Sequence, residues 1–154
     1  MKIVIGSDHR GFVAKEQVKA IVTQSGHQYI DVGIKDNNPA DYPDIAYMAA
    51  TAVSKGEADR AILICGTGIG MCIAANKVKG IRAALCHDEL TAQISRHHND
   101  SNVLCLSGDM TGEVLLRKIV EAWLTTDFQG GRHQRRINKI SAIENGKNPA
   151  QITT

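Results

Sequence analysis

Aromatic side chains are scarce. Phe, Trp and Tyr make up 4% of the 154 residues, with one Trp. Surfaces that stack nucleic-acid bases depend on such rings, so this composition argues against one. Neither sign of charge dominates. Eighteen Lys and Arg face 16 Asp and Glu, for a formal net charge of +2 and a pI near 8.4. That is too mild for an electrostatic footprint on DNA, RNA or a membrane surface, so no nucleic acid and no membrane is expected as a partner. No apolar run reaches the length of a membrane span. No charged-then-apolar leader precedes Lys2-Ile3-Val4-Ile5-Gly6. The cysteines are Cys65, Cys72, Cys86 and Cys105; none forms a CxxC pair and no spacing resembles a zinc site. Free thiols in apolar runs fit a reducing compartment, and a cytoplasmic location is the expectation.

Hydrophobic residues reach 43% and charged residues 22%, the composition of an ordinary globular chain. At this length a single domain over residues 1–154 can bury a substantial core. Short apolar, β-branched runs alternate with helical patterns. Strands are expected at 3–5, 29–32, 61–65, 81–86 and 103–106. Helices are expected at 11–24, 42–55, 71–77, from Asp88 to about His98, and at 112–126. Residues 33–41 are polar and contain Pro39, which predicts a loop. Ala61-Ile62-Leu63-Ile64-Cys65 is wholly apolar, as a central parallel strand buried on both faces requires. The alternation predicts an α/β fold, a Rossmann-like three-layer αβα sandwich around a five-stranded parallel sheet. A basic stretch then opens a last helix within 130–146.

Ligands of such folds sit beyond the carboxyl ends of the strands. Two loops there stand out, Ser7-Asp8-His9-Arg10-Gly11 and Gly66-Thr67-Gly68-Ile69-Gly70. Gly66, Gly68 and Gly70 let the backbone curl so that N–H groups converge on an anion or an oxyanion. The spacing is G-x-G-x-G and follows the third strand, unlike a dinucleotide fingerprint. Cys65 closes the strand before this loop, where backbone N–H dipoles favour a negatively charged sulfur that can act as nucleophile or base. A buried structural cysteine is the plainer alternative, and it is the reading given to Cys72, Cys86 and Cys105. Asp8 can orient a sugar hydroxyl or simply cap the next helix, and His9 beside it can touch a phosphate. His97 and His98 precede Asn99-Asp100 at a helix end. Arg132 and Arg136 stand four apart, so on a helix they share a face that can grip a phosphate or remain a solvated basic end.

Taken together and in order, these segments resemble one family. Ser7-Asp8-His9-Arg10-Gly11, Asp41-Tyr42-Pro43, Cys65-Gly66-Thr67-Gly68-Ile69-Gly70, Ala74-Ala75-Asn76-Lys77, Gly80-Ile81-Arg82-Ala83, His98-Asn99-Asp100 and Gly130-Gly131-Arg132-His133 are similar to type B ribose-5-phosphate isomerases over nearly the whole chain. The related galactose-6-phosphate isomerase subunits share the cysteine–glycine loop and generally lack a tail like 132–136.

The resemblance implies a cofactor-free, metal-free aldose–ketose isomerase. Cys65 would be the base between C1 and C2. Thr67 and the N–H groups of Gly66, Gly68 and Gly70 would hold the enediolate charge. His98 would open the furanose ring. Asp8, Tyr42 and Asn99 would order hydroxyls, and His9, Arg132 and Arg136 would hold the phosphate. Met71 stands where some relatives carry a glutamate base, which fits the cysteine subtype. Eleven residues after His98, where many relatives have Arg, this chain has Asp109, and the sugar is left open by that reversed charge. A pentose, tetrose or hexose phosphate, an unphosphorylated sugar, and a sugar-phosphate sensor without catalysis are the alternatives.

One geometric expectation follows from the strand order. His98 and Asn99 precede the amino end of the fifth strand, whereas Cys65 closes the carboxyl end of a parallel neighbour. A strand of this length holds those ends roughly 15 Å apart. A homodimer or tetramer with sites shared between chains is therefore expected, with helix 130–146 packing on a partner subunit.

Overall fold

The computed structural model describes residues 1–36 and 38–153. Five strands, β1 (Lys2–Ser7), β2 (Gln28–Asp31), β3 (Arg60–Cys65), β4 (Ala83–Leu85) and β5 (Val103–Ser107), form one sheet in the order β2-β1-β3-β5-β4. Every pairing is parallel. Four α-helices connect them, α1 (Phe12–Gln24), α2 (Tyr42–Ser54), α3 (Ile69–Ala75) and α4 (Glu89–Asn99), and two follow β5, α5 (Glu113–Thr125) and α6 (Arg132–Glu144). The expected α/β sandwich is the fold observed.

Side chains alternate across the central strands, and each face has its own helices. Ile3, Ile5, Ile62, Ile64, Leu104 and Leu106 pack with Val18, Ile21, Leu116, Ile119 and Trp123 of α1 and α5. Val4, Ala61, Leu63, Cys65, Val103 and Cys105 pack on the other face with Ile45, Ala46, Ala49, Met71 and Ala75 of α2 and α3. This double burial explains why the strands read as unbroken apolar runs. Ala46, Ala49 and Ala50 of α2 are fully buried, so the alanine-rich helix lies close to the sheet.

Several boundaries depart from the sequence pattern. β4 is shorter than the apolar run 81–86, because the Arg82 N–H turns to the Asn102 side chain at 2.8 Å. The Arg82 guanidinium at the same point holds the carbonyls of Asn99 and Asp100. α3 starts two residues before Met71 and stops at Ala75. Asn76 ends it by reaching across to β4, donating to Ala83 O at 2.9 Å and accepting from Ala83 N at 2.9 Å. The loop after β2 is tied back by Lys15, a 1% exposed cation of α1 that donates to Asp31 and to the carbonyl of Ile34. No helix among the described residues is long and apolar enough to cross a membrane.

Candidate active site

The loops after β1, β3 and β5 interlock at the carboxyl edge of the sheet. A Cβ on Gly11 would stand 2.5 Å from Ile64 O, and one on Gly108 would stand 2.7 Å from Arg10 O. Gly108 N–H donates to Cys65 O at 2.8 Å and Asp109 N–H to Gly66 O at 3.2 Å. Ser107 Oγ adds a 2.6 Å bond to Gly66 O. These bonds leave little freedom for the backbone that carries Cys65.

The Cys65 side chain is 5% exposed, and its Sγ accepts from Gly68 N–H at 3.2 Å. Gly68 has φ +78°, and a Cβ there would lie 2.6 Å from Leu85 and 2.9 Å from the Leu106 backbone. Only glycine meets both demands, and so only glycine aims this N–H at the sulfur. Thr67 Oγ1 accepts from Ile69 N–H at 3.3 Å, which leaves the hydroxyl proton free to donate elsewhere. Tyr42, the first residue of α2, lies against Gly70. A Cβ on Gly70 would meet the phenol ring at 2.6 Å.

An open cavity of about 440 Å³ results, lined by Asp8, Arg10, Tyr42, Cys65, Thr67 and Ile73 among others. Asp8 takes the capping role and also reaches the cavity. One carboxylate oxygen caps the turn His9–Gly11 by accepting from the N–H groups of Arg10 and Gly11, and the residue also lines the cavity. His9 turns away, toward loop 33–41, where Nδ1 accepts from Ala40 N–H at 3.4 Å; it is not among the residues lining the cavity. Asp109 does not stand bare. It forms an ion pair with Arg10, a residue to which the sequence assigned no role.

The remaining predicted residues gather at the opposite pole. α4 ends at Asn99, Asp100 takes a left-handed conformation at φ 45°, and the chain then enters β5. The His98 ring stacks on His133, with centroids 4.1 Å apart and planes within 6°. Gly130 and Gly131, both at positive φ, turn the chain into α6, and Gln129 N–H donates to His97 O at 3.1 Å. That turn delivers His133 to His98 and puts Arg132 beside both, its Nε 3.5 Å from His133 Nε2. His133 Nδ1 is buried and has no partner among the described residues. Burial, then the nearby His98, Arg132 and Arg136, hold the His133 pKa below the ordinary histidine value. Asn99 lines a different cavity, of about 230 Å³, with Arg82, Ser101 and Ile140.

The register measures the gap. Cys65 pairs with Ser107, while Ala61 pairs with Val103, the residue that follows the His98 turn. Four strand steps span about 13 Å. One chain therefore brings Asp8, Tyr42, Cys65, Thr67 and the glycine loop together, and separately brings together His98, Arg132 and His133. It does not join the two sets. His133 and Arg10 are the neighbours the sequence reading passed over. The Gly130-Gly131 pair was the available signal for His133; nothing local marked Arg10 as the partner of a residue 99 positions away.

The other cysteines differ from one another. Burial pushes the Cys86 thiol up to about 11 and raises Cys105 well above its ordinary value. Cys72, half-buried on α3, is drawn down to about 7, chiefly by the neighbouring Cys105 thiol.

Known proteins resemble this chain in sequence and in fold. The family model described as Ribose/Galactose Isomerase matches residues 3–140. Ribose-5-phosphate isomerase B of Escherichia coli is 47% identical, over 96% of this chain and 99% of the relative. D-erythrulose-4-phosphate isomerase of Pectobacterium atrosepticum is 41% identical, over 94% and 95%. The structure of ribose-5-phosphate isomerase B from Mycoplasma genitalium with bound ribulose-5-phosphate superposes with a TM-score of 0.90 at 44% identity, covering 94% of this chain and 96% of that one.

Proposed function

The chain belongs to the ribose/galactose isomerase family, and from that membership we propose that it interconverts ribose 5-phosphate and ribulose 5-phosphate through an enediolate, with Cys65 as the base. The carrying observation is the Cys65 sulfur at the edge of an open cavity, oriented by Gly68 N–H and neighboured by Asp8, Thr67 and Tyr42.

A hydrogen next to a carbonyl is weakly acidic, so its removal needs a placed base and a placed oxyanion site together. The Cys65 thiolate takes the proton from C2 of the open-chain aldose. The electron pair moves into the C1–C2 bond and the carbonyl oxygen becomes an oxyanion. Thr67, whose hydroxyl proton is free, and the loop N–H groups stabilise that charge. The thiol then returns the proton to C1, and a proton leaves O2 as O1 gains one. Asp8 and Tyr42 order the hydroxyls.

Ring opening belongs to His98, with Asn99 beside it, and phosphate binding to Arg132 and Arg136. Because these lie at the other pole, the reading requires a second copy of the chain. The partner's His98 and arginines complete the Cys65 cavity, and α6 is carried into the interface. Apolar side chains left exposed near both halves suit such burial: Ile69 and Ile73 by the cavity, Ile140 and Ile143 on α6. A homodimer is the minimum, and the reading places the enzyme in the cytoplasm.

A tetrose phosphate is the second substrate reading, favoured by the relative named for D-erythrulose 4-phosphate. Assay of the purified protein on ribose 5-phosphate and on a four-carbon aldose phosphate tests both. Turnover of ribose 5-phosphate with the higher kcat/KM supports the first reading. No turnover of either sugar phosphate would contradict both.

A further inference from the structure

The Cys65 cavity holds a cation that the reading above leaves unused. Among the residues lining it, Arg10 is the only one with a positive charge. Asp8 is negative, and the reaction requires a thiolate at Cys65. A phosphorylated sugar entering beside two anions is repelled unless a cation on the same wall offsets them.

Arg10 is built for that task. It lines the cavity with a side chain that is 62% exposed, and one arm pairs with Asp109. Both groups sit directly over Gly66, the residue after Cys65. A Cβ there would stand 2.8 Å from Asp109 Oδ2 and 2.9 Å from Arg10 Nε, so a glycine is what makes room for the pair. Asp109 itself is anchored. Its N–H donates to Gly66 O, and Ser107 Oγ bridges Gly66 O and Met110 N–H on the same turn. A guanidinium carries five N–H donors in a flat fork. Paired on one side with a carboxylate whose backbone is anchored, it keeps its remaining donors for an anion.

We propose that Arg10 binds the anionic end of the substrate, and that Asp109 is a positioning residue that holds its guanidinium over Gly66. The inference deepens the sugar-phosphate reading of this site and rests on it. It also accounts for the reversed charge at position 109, which stands behind a cation instead of bare toward the phosphate.

The test joins kinetics with a binding measurement that needs no turnover. Arg10→Ala should raise KM for ribose 5-phosphate about tenfold to a hundredfold, the loss expected for a charged hydrogen bond, with a smaller fall in kcat and a far smaller loss on unphosphorylated ribose. Arg10→Lys should fall between, because charge is kept and the fork is lost. Asp109→Asn should raise KM a few-fold in the wild-type background and have no further effect in Arg10→Ala. Calorimetric titration with inorganic phosphate should show about tenfold weaker binding to Arg10→Ala, with the thermal transition retained. If the wild type turns over no sugar phosphate but binds phosphate through Arg10, the isomerase reading fails and the assignment of Arg10 stands. If turnover is intact and Arg10→Ala keeps KM and phosphate affinity within twofold, the Arg10 assignment is wrong and the isomerase reading stands. A lower KM in Asp109→Asn would overturn the positioning role, since Asp109 would then be competing with the phosphate. No binding of phosphate and no turnover by the wild type would overturn both.

Discussion

The two poles of the sheet are built by different means. At the carboxyl edge, Cys65 is fixed by backbone. Three loops share hydrogen bonds, and Gly11, Gly68 and Gly108 allow approaches that a Cβ would forbid. At the other edge, His98, His133, Arg132 and Arg136 meet through side chains on the ends of two helices, aligned by the Gly130-Gly131 turn, the Gln129 N–H bond to His97 O and one ring stack. In the proposed reaction the difference suits a division of labour. A base and an oxyanion site must be preorganised to act, whereas groups that open a ring or grip a phosphate can be delivered by a surface that docks.

The largest expected effect breaks the first pole. Cys65→Ala should lower kcat for ribose 5-phosphate by about a hundredfold to ten-thousandfold, the usual range for loss of a general base, with the thermal transition retained. Retention of more than about a tenth of wild-type kcat, a loss below roughly 1.4 kcal/mol, would remove Cys65 from the role of essential base. Because Cys72 is drawn down to about 7, thiol-alkylation versions of this experiment need the Cys72→Ser background.

An intermediate effect probes the second pole. Arg136→Ala should raise KM for ribose 5-phosphate about tenfold and change activity on free ribose little. Equal losses on both sugars would detach Arg136 from the phosphate.

The smallest effect reports on the ring stack. Burial depresses the His133 pKa in the folded chain, so the unfolded chain binds the proton more readily. Stability from the neutral ring is complete above the unfolded value of roughly 6.5 and is lost as pH falls through that value toward the folded one. His133→Gln should flatten the decline in Tm between pH 7.5 and 5.5. An unchanged slope would mean that His133 does not carry it.

Legibility in the sequence followed the same division. The succession of strands and helices and the Cys65 loop could be read because both rest on local signals: unbroken apolar runs, glycines at fixed offsets, and a cysteine at a strand end. Even the separation of His98 from Cys65 could be argued, since parallel strands fix which end each residue occupies. The His98–His133 stack and the Arg10–Asp109 pair could not. Each joins residues far apart in sequence through side-chain placement, and no periodicity records such a contact. The placement of the His9 ring is equally invisible in sequence: its neighbours line the cavity, but its Nδ1 accepts from Ala40 N–H of a separate loop. The short β4 is not legible because the Arg82 N–H donates to the Asn102 side chain in place of a strand carbonyl.

In the proposed dimer each site takes Cys65 from one chain and His98 from another. Mixing the inactive variants Cys65→Ala and His98→Asn tests it directly, after subunit exchange has been verified by mass. A heterodimer then carries one site with both residues intact. Random pairing of equal amounts makes half the dimers mixed, with one of two sites active, so about a quarter of wild-type activity should return. Activity that stays at the level of the separate variants would contradict the shared site.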